Sequence, residues 1–255
     1  MGKALVGHTG FVGGNLLRQA AFDDLYNSKN IEAIAGKSYD LLVCAGAPAE
    51  KWKANRDPAA DWAAISRLAA ALARARAERV VLISSVDVYP SPTGVDEDTL
   101  INPAETAYGR HRFLLEKFVQ DHFDALVVRL PGLFGPGLKK NIIYDLLHDN
   151  NLGAVHADSV FQFYALDNLW RDVETARRAG LRLVNFATAP VSVAEVAKAS
   201  LGIDFTNRPA APPVRYDFRS CHAALYGGAE GYLYGKAAVL AALRDFVAAE
   251  RARTA

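Results

Sequence analysis

Short, fully apolar runs alternate with amphipathic stretches along this chain. The alternation predicts strands at 4–6, 24–26, 41–45, 80–84, 126–130 and 182–185. Between them, helical spacing predicts helices near 12–22, 58–75, 104–120 and 168–179. In the second of these, Trp62, Ile65, Leu68, Ala69 and Leu72 share one stripe, which reads as a core-facing surface. Strands apolar throughout are buried on both faces, so the pattern predicts an α/β protein with a doubly wound parallel sheet. Only residues 28–39 separate the second strand from the third. That is room for one or two helical turns, not for a helix–strand–helix excursion.

Two segments break the rhythm. Residues 131–153 and 191–235 are irregular and rich in Gly, Pro, Asn and Tyr, with a short helix expected at 142–147 and a final one from about 236 to 249. Ligands of open α/β sheets bind beyond the carboxyl ends of the strands, so these insertions are expected to cap a substrate there. The domain division expected is a core of 1–135 completed by 158–190, with a small capping region of 136–157 and 191–255.

Composition narrows the class. With 255 residues, 51% of them hydrophobic, the chain can bury a large core, and disorder is expected only at 251–255. A formal charge of +1 and the lack of a Lys/Arg cluster argue against a nucleic-acid partner. No apolar run approaches membrane-spanning length, and the chain enters a strand at once, so neither a membrane anchor nor a signal peptide is expected. Two distant cysteines, Cys44 and Cys221, suggest a reducing, cytoplasmic setting without a disulfide framework, Cys44 being a small buried hydrophobe. The six histidines lack metal-ligand spacing, so no metal site is expected. No nucleophilic Ser or Cys arrangement appears.

The chemistry starts at Gly7-His-Thr-Gly10-Phe-Val-Gly13, which follows the apolar Ala4-Leu5-Val6 and leads into a helix. Gly7 allows the tight turn, Gly10 lets main chain approach a pyrophosphate, and Gly13 packs helix against strand. Free amides and the dipole of the helix start favour phosphate there. Gly7, Thr9, Gly10, Phe11, Val12 and Gly13 are therefore the candidate cofactor cradle. This G-x-x-G-x-x-G turn resembles that of the short-chain dehydrogenase/reductase superfamily, above all its extended branch, which modifies nucleotide sugars. The resemblance implies a Rossmann fold with a small C-terminal substrate-capping region.

Val80-Val-Leu-Ile-Ser84-Ser85-Val-Asp87-Val-Tyr89 and Ala107-Tyr108-Gly-Arg-His-Arg112 carry the resemblance further. It implies that Ser85 polarises the substrate oxygen and that Tyr108 is the proton-transfer residue, with Ser84 beside the cofactor. A phenol of pKa about 10 needs a neighbouring cation to act near neutrality. Position 112 departs from the family, which has Lys there. Arg112 still places a cation on the Tyr108 face at i, i+4, but one that cannot lose its proton and offers a planar fork of donors. It is expected to lower the phenol's pKa and to bind the nicotinamide ribose. Asp87 reads as a general acid or base, a sugar contact or a turn cap. Dehydratases of this type carry a further acid where this chain has Val86, which disfavours a plain dehydratase.

Cofactor choice is read from Tyr26-Asn27-Ser28-Lys29-Asn30, where a carboxylate would mark NAD. Asn27, Ser28 and Lys29 offer an amide, a hydroxyl and an ammonium, which suit the 2′-phosphate of NADP or simply form a solvated turn. NADP is therefore preferred, with NAD the second choice. Small residues at Cys44, Ala45 and Gly46 allow close approach to the nicotinamide side. Pro131, Gly132 and Leu133 resemble the family's Arg-Pro-x-Asn segment past the nicotinamide, with Gly132 in place of Asn. Lys139, Lys140 and Asn141 are candidate diphosphate contacts, or solvated lysines, and Gln162 and Tyr164 candidate substrate contacts. Asp167 reads as a helix N-cap.

The expectation is thus an NAD(P)-dependent reductase or epimerase acting on a hydroxyl or keto carbon of a nucleotide sugar, with Asp87 among its catalytic candidates. A small-molecule substrate is the expected partner, and the sequence leaves a homodimer open. The alternatives are a catalytically silent NADP-binding sensor or scaffold, which Arg112 permits, and a reductase of a non-nucleotide carbonyl compound.

Overall fold

The computed structural model describes residues 2–102 and 106–254. All six expected strands are present. They are β1 (Gly2–Val6), β2 (Asp24–Tyr26), β3 (Ser38–Cys44), β4 (Arg76–Ser85), β5 (Ala125–Leu130) and a short strand Leu183–Asn185. They form one parallel sheet ordered β2-β1-β3-β4-β5, with Leu183–Asn185 at the far edge. β2 flanks β1 on one side and β3 flanks it on the other, so the winding reverses at β1. The register pairs Val6 with Cys44 and Ser85 with Leu130, which lines up the carboxyl ends of these strands. As the short connection required, only a 3-10 turn, Ile31–Ile34, separates β2 from β3.

Four helices accompany β1–β5: α1 (Phe11–Leu17), α2 (Lys51–Arg56), α3 (Pro58–Leu72) and α4 (Ala107–His122). α1 stops five residues short of the expected end at 22, since it carries Gly13-Gly14 and β2 begins at Asp24. α2 was not expected. Asp57 caps α3 by accepting from the Ala60 amide, and Pro58 fills its first position. Thr106 caps α4, whose expected start at 104 lies outside the described residues. Ile65, Leu68 and Leu72 are buried as expected, beside Leu42, Val80, Leu82 and Val127 of the sheet. Trp62 is not: it is 43% exposed, and Asp61 occupies the inward position of its turn.

The chain divides into two compact units. The first comprises Met1–Ser91, Asp98–Leu130 and Leu169–Asn185, the second Pro92–Glu97, Pro131–Asn168 and Phe186–Ala255. The sequence boundaries at 135 and 158–190 are displaced because Gly132–Phe134 pairs with Phe163–Ala165 in a small parallel sheet of the second unit. A second small sheet joins Val160–Phe161 to Val191–Ser192. Phe134, Ile143, Phe163, Val196 and Leu243 belong to this unit's own core.

Its helices are Ile142–His148, Val193–Leu201 and Lys236–Thr254. The middle one lies in a segment read as irregular, yet Ser192 and Glu195 form a full capping box at its start. The last one continues to Thr254, so the disorder expected from 251 is replaced by helix. Asp167 lies within a 3-10 turn, Leu166–Asn168, rather than at a helix N-cap. Among the described residues no helix is long and apolar enough to cross a membrane.

Candidate active site

The glycine turn after β1 is built as its spacing demands. Gly7 has φ +88°, and a Cβ there would lie 2.4 Å from the Ala45 carbonyl oxygen. A Cβ on Gly13 would come within 2.1 Å of the Gly7 oxygen, so α1 can sit against the turn only without one. At Gly10 a Cβ would meet only that same oxygen, at 3.3 Å, which leaves its outer side open. Gly10 also precedes α1 and gives it no side-chain cap. Thr9 is exposed, and Phe11 and Val12 are half-buried. This backbone fits a dinucleotide pyrophosphate.

After β2, the Asn27 side chain accepts from the Lys29 amide at 2.9 Å, and Asn30 Oδ1 accepts from the Asn27 amide at 2.7 Å. The turn is held by its own amides, and Ser28 and Lys29 stand exposed beside it. The acid of this strand, Asp24, is turned to Tyr39 and Lys37; the Tyr39 hydrogen bond in particular keeps its carboxyl low. Cys44 is fully buried, and desolvation pushes its thiol up to about 11. Gly46 follows it, where a Cβ would press on Val6 at 2.9 Å.

Tyr108 starts α4 and is nearly buried. Its amide donates to Asn55 Oδ1 of α2 at 3.0 Å. Burial pushes the phenol up, whereas the Arg112 charge and the Ser85 hydroxyl act in the opposite direction. The neighbouring Asp87 carboxylate adds to the upward push, and Lys51 opposes it. Ser85 Oγ also accepts from the Asp87 amide at 3.1 Å, which fixes the bend after β4. Asp87 Oδ1 accepts from Lys51 Nζ at 2.8 Å. Ser85, Asp87 and Tyr108 are thereby brought together, and the sequence reading missed Lys51 and Asn55. Both lie on the unpredicted α2, four residues apart.

Arg112 lowers the phenol as its position implied, but its donors are turned into the protein. Its Nη1 and Nη2 donate to Asp61 Oδ2 and Oδ1 at 2.6 and 2.9 Å. The same nitrogens also donate to the carbonyls of Tyr108 and Pro48. The guanidinium lies 3.9 Å from the centroid of the Tyr108 ring, over its face. Its terminal donors are thus committed within the protein, and its Nε is buried without a partner. The expected contact with a cofactor ribose is therefore not available to it. Burial raises the Asp61 carboxyl, but Arg112 and His111 together hold it below the usual carboxylate range. His111 Nδ1 sits 2.7 Å from Asp61 Oδ2. An acid on the apolar stripe of a helix, at 61, 65, 68 and 72, was the signal in the sequence.

Several other expected contacts are spent on structure. Ser84 Oγ donates to Glu116 at 2.5 Å rather than reaching for a cofactor. Glu116 in turn pairs with Arg129 at 2.6 Å, which donates to Tyr89 Oη at 2.8 Å, a buried network under the site. Gln162 is buried, with its amide nitrogen donating to the carbonyls of Thr188 and Phe218 and its oxygen accepting from the Phe218 amide. Tyr164 is fully buried among Phe186 and Tyr234. Neither presents a free face to a substrate. Asn141 caps the Ile142–His148 helix through Oδ1 and donates to the Leu133 carbonyl through Nδ2. Lys139 and Lys140 are exposed. Pro131 and Leu133 are half-buried, and exposed Gly132 pairs with the Gln162 carbonyl at 3.1 Å. Among the described residues no cluster of three or more His, Cys, Asp or Glu side chains could hold a metal.

The reversed parallel sheet and glycine turn define a Rossmann-type α/β protein. The model of the NAD dependent epimerase/dehydratase family matches residues 22–152, and the chain belongs to that family. This agrees with the resemblance to the extended short-chain dehydrogenases/reductases read from the sequence. Similar folds include "MoeE5 in complex with UDP-glucose and NAD" (19% identity, TM-score 0.73, covering 99% of both chains). Another is the UDP-glucose 4-epimerase of Thermotoga maritima (14% identity, TM-score 0.74, 100% of both chains). A third is RMD from Pseudomonas aeruginosa complexed with NADPH (18% identity, TM-score 0.74, covering 99% of this chain and 100% of that one). No curated protein sequence matches the chain.

Proposed function

We propose that this protein is an NADP-linked oxidoreductase or epimerase that acts on a hydroxyl or keto carbon of a nucleotide sugar, with Tyr108 as its acid/base. The observation that carries this reading is the position of the Tyr108 phenol at the start of α4, with Ser85 at the carboxyl end of β4 among the groups that act on it. The Gly7–Gly13 backbone, Ser28, Lys29, Ala45 and Gly46 would hold the dinucleotide. The nicotinamide, when bound, supplies the hydride chemistry. Tyr108 then gives or takes the proton of the substrate oxygen, and Ser85 orients that oxygen. Asp87, partly exposed and paired with Lys51, would contact a sugar hydroxyl. UDP-glucose in two similar structures supports the substrate class, and NAD in one and NADPH in another support a nicotinamide cofactor.

One observation favours a second reading, a protein that binds NADP without turning it over. The cation at position 112 is locked to Asp61 and stacked on the ring face. Turnover of a panel of UDP- and dTDP-sugars with NADP(H) and NAD(H), followed by nicotinamide absorbance and product analysis, separates the two. Any sugar processed at a rate that Tyr108→Phe abolishes supports the enzyme. Stoichiometric NADPH binding without turnover supports the silent protein.

A further inference from the structure

Resting on the assignment of Tyr108 as acid/base, we propose that Lys51 supplies this site with a second cation beside Arg112, as a positioning residue on α2 that acts on Tyr108 through Asp87. Lys51 and Asn55 are one helical turn apart, so their side chains share a face of α2. Asn55 on that face accepts from the Tyr108 amide at 3.0 Å, which pins α2 to the start of α4. Lys51 Nζ, from the same face, reaches Asp87 Oδ1 at 2.8 Å. Asp87 itself is held two residues past Ser85, whose hydroxyl accepts from the Asp87 amide at 3.1 Å. These contacts tie α2 both to the start of α4, at Tyr108, and to the turn after β4, at Asp87.

Arg112 also lowers the phenol, but it acts from the ring face and leaves the Asp87 carboxylate to Lys51. Its terminal nitrogens are spent on Asp61 and two carbonyls, and it meets the ring face rather than the hydroxyl. Lys51, at 45% side-chain exposure, is a flexible ammonium at the rim of the site. The charged groups facing Tyr108 are Arg112 on its own helix, Asp87 from the turn after β4, and Lys51 from α2. Behind Arg112 stand Asp61 of α3 and His111 of α4, and Arg129 of β5 is neutralised by Glu116. When Tyr108 releases its proton to a substrate oxygen, negative charge appears on the phenol next to the Asp87 carboxylate. The Lys51 ammonium offsets both charges and keeps its own proton throughout.

Alkaline titration of tyrosinate absorbance, with the Tyr108→Phe protein as baseline, isolates this one phenol and needs no substrate. Lys51→Met should lower the Tyr108 phenolate signal at a fixed alkaline pH about three- to ten-fold. Lys51→Arg should restore it, and Asp87→Asn should raise it above that of the unmodified protein. Thermal unfolding midpoints of these variants, measured alongside, should stay close together because the pair is exposed. The proposal is overturned if Lys51→Met titrates like the unmodified protein, if Arg fails to rescue, or if Asp87→Asn leaves the signal unchanged. Failure to turn over any nucleotide sugar would count against the proposed function and leave this titration as it stands.

Discussion

Arg112 grips Asp61 through both terminal nitrogens, at 2.6 and 2.9 Å, while its guanidinium lies flat on the ring of Tyr108. Both charged side chains are almost wholly buried. The pair joins α3 to α4 directly beneath the tyrosine, so its first role is to hold that residue in place. Asp61→Ala would leave the guanidinium buried without its counter-charge, at a cost of about 3–5 kcal/mol. Urea unfolding should show that loss. The sign of its pH dependence follows from the depressed Asp61 pKa. The carboxylate's contribution is present above the unfolded value of about 4 and fades as pH falls through the lower folded value. The gap between the two proteins should therefore narrow in acid, and a gap that widens would contradict the assignment.

Arg112→Lys tests whether the family's lysine can simply be put back. A single ammonium cannot span both Asp61 oxygens and two carbonyls, so the substitution should destabilise by about 1–3 kcal/mol. Turnover should fall or stay level. A clear gain in turnover without loss of stability would show that Arg112 is only a substitute cation.

The sheet was legible because its strands are uniformly apolar and short, and the glycine spacing fixed the first crossover. Ser85, Asp87 and Tyr108 were singled out through the family resemblance, and they fall at the end of β4, in the turn after it and at the start of α4. What escaped depends on tertiary partners. α2 is six residues long and lacks a side-chain cap, so periodicity has nothing to register. Gln162 and Tyr164 look like binding residues in sequence, and only packing shows that their polar groups and ring are used inside the second unit. Asp61 was readable in principle, as an acid placed on an apolar stripe, whereas Trp62 drew the eye to the wrong side of that turn.

The last two glycines of the cofactor turn should separate folding from binding. Gly13→Ala puts a Cβ 2.1 Å from the Gly7 oxygen, backbone that cannot move aside, and should cost about 3 kcal/mol of stability. Gly10 has an ordinary φ of −82°, and a methyl there would meet only the Gly7 oxygen, at a tight 3.3 Å, so Gly10→Ala should fold with far less loss of stability than Gly13→Ala. Its methyl would stand on the open side of the turn, and calorimetry should show NADPH binding weakened at least about tenfold. Undiminished binding by Gly10→Ala would place the pyrophosphate elsewhere.

Lys29 is exposed beside a turn built by Asn27 and Asn30. If it pairs with a 2′-phosphate, Lys29→Ala should weaken NADPH by about 1.5–3 kcal/mol and leave NADH unchanged. Equal affinities of the unmodified protein for the two cofactors would refute the preference.

The central claim is that Tyr108 moves the substrate proton, and a comparison of the unmodified protein with Tyr108→Phe tests it most directly. The substitution removes one hydroxyl from a nearly buried ring and spares the Arg112 stack. With a nucleotide sugar that the protein turns over, kcat should fall about 10²–10⁴-fold while NADPH affinity stays within about twofold. Turnover that survives the loss of the hydroxyl would contradict the account.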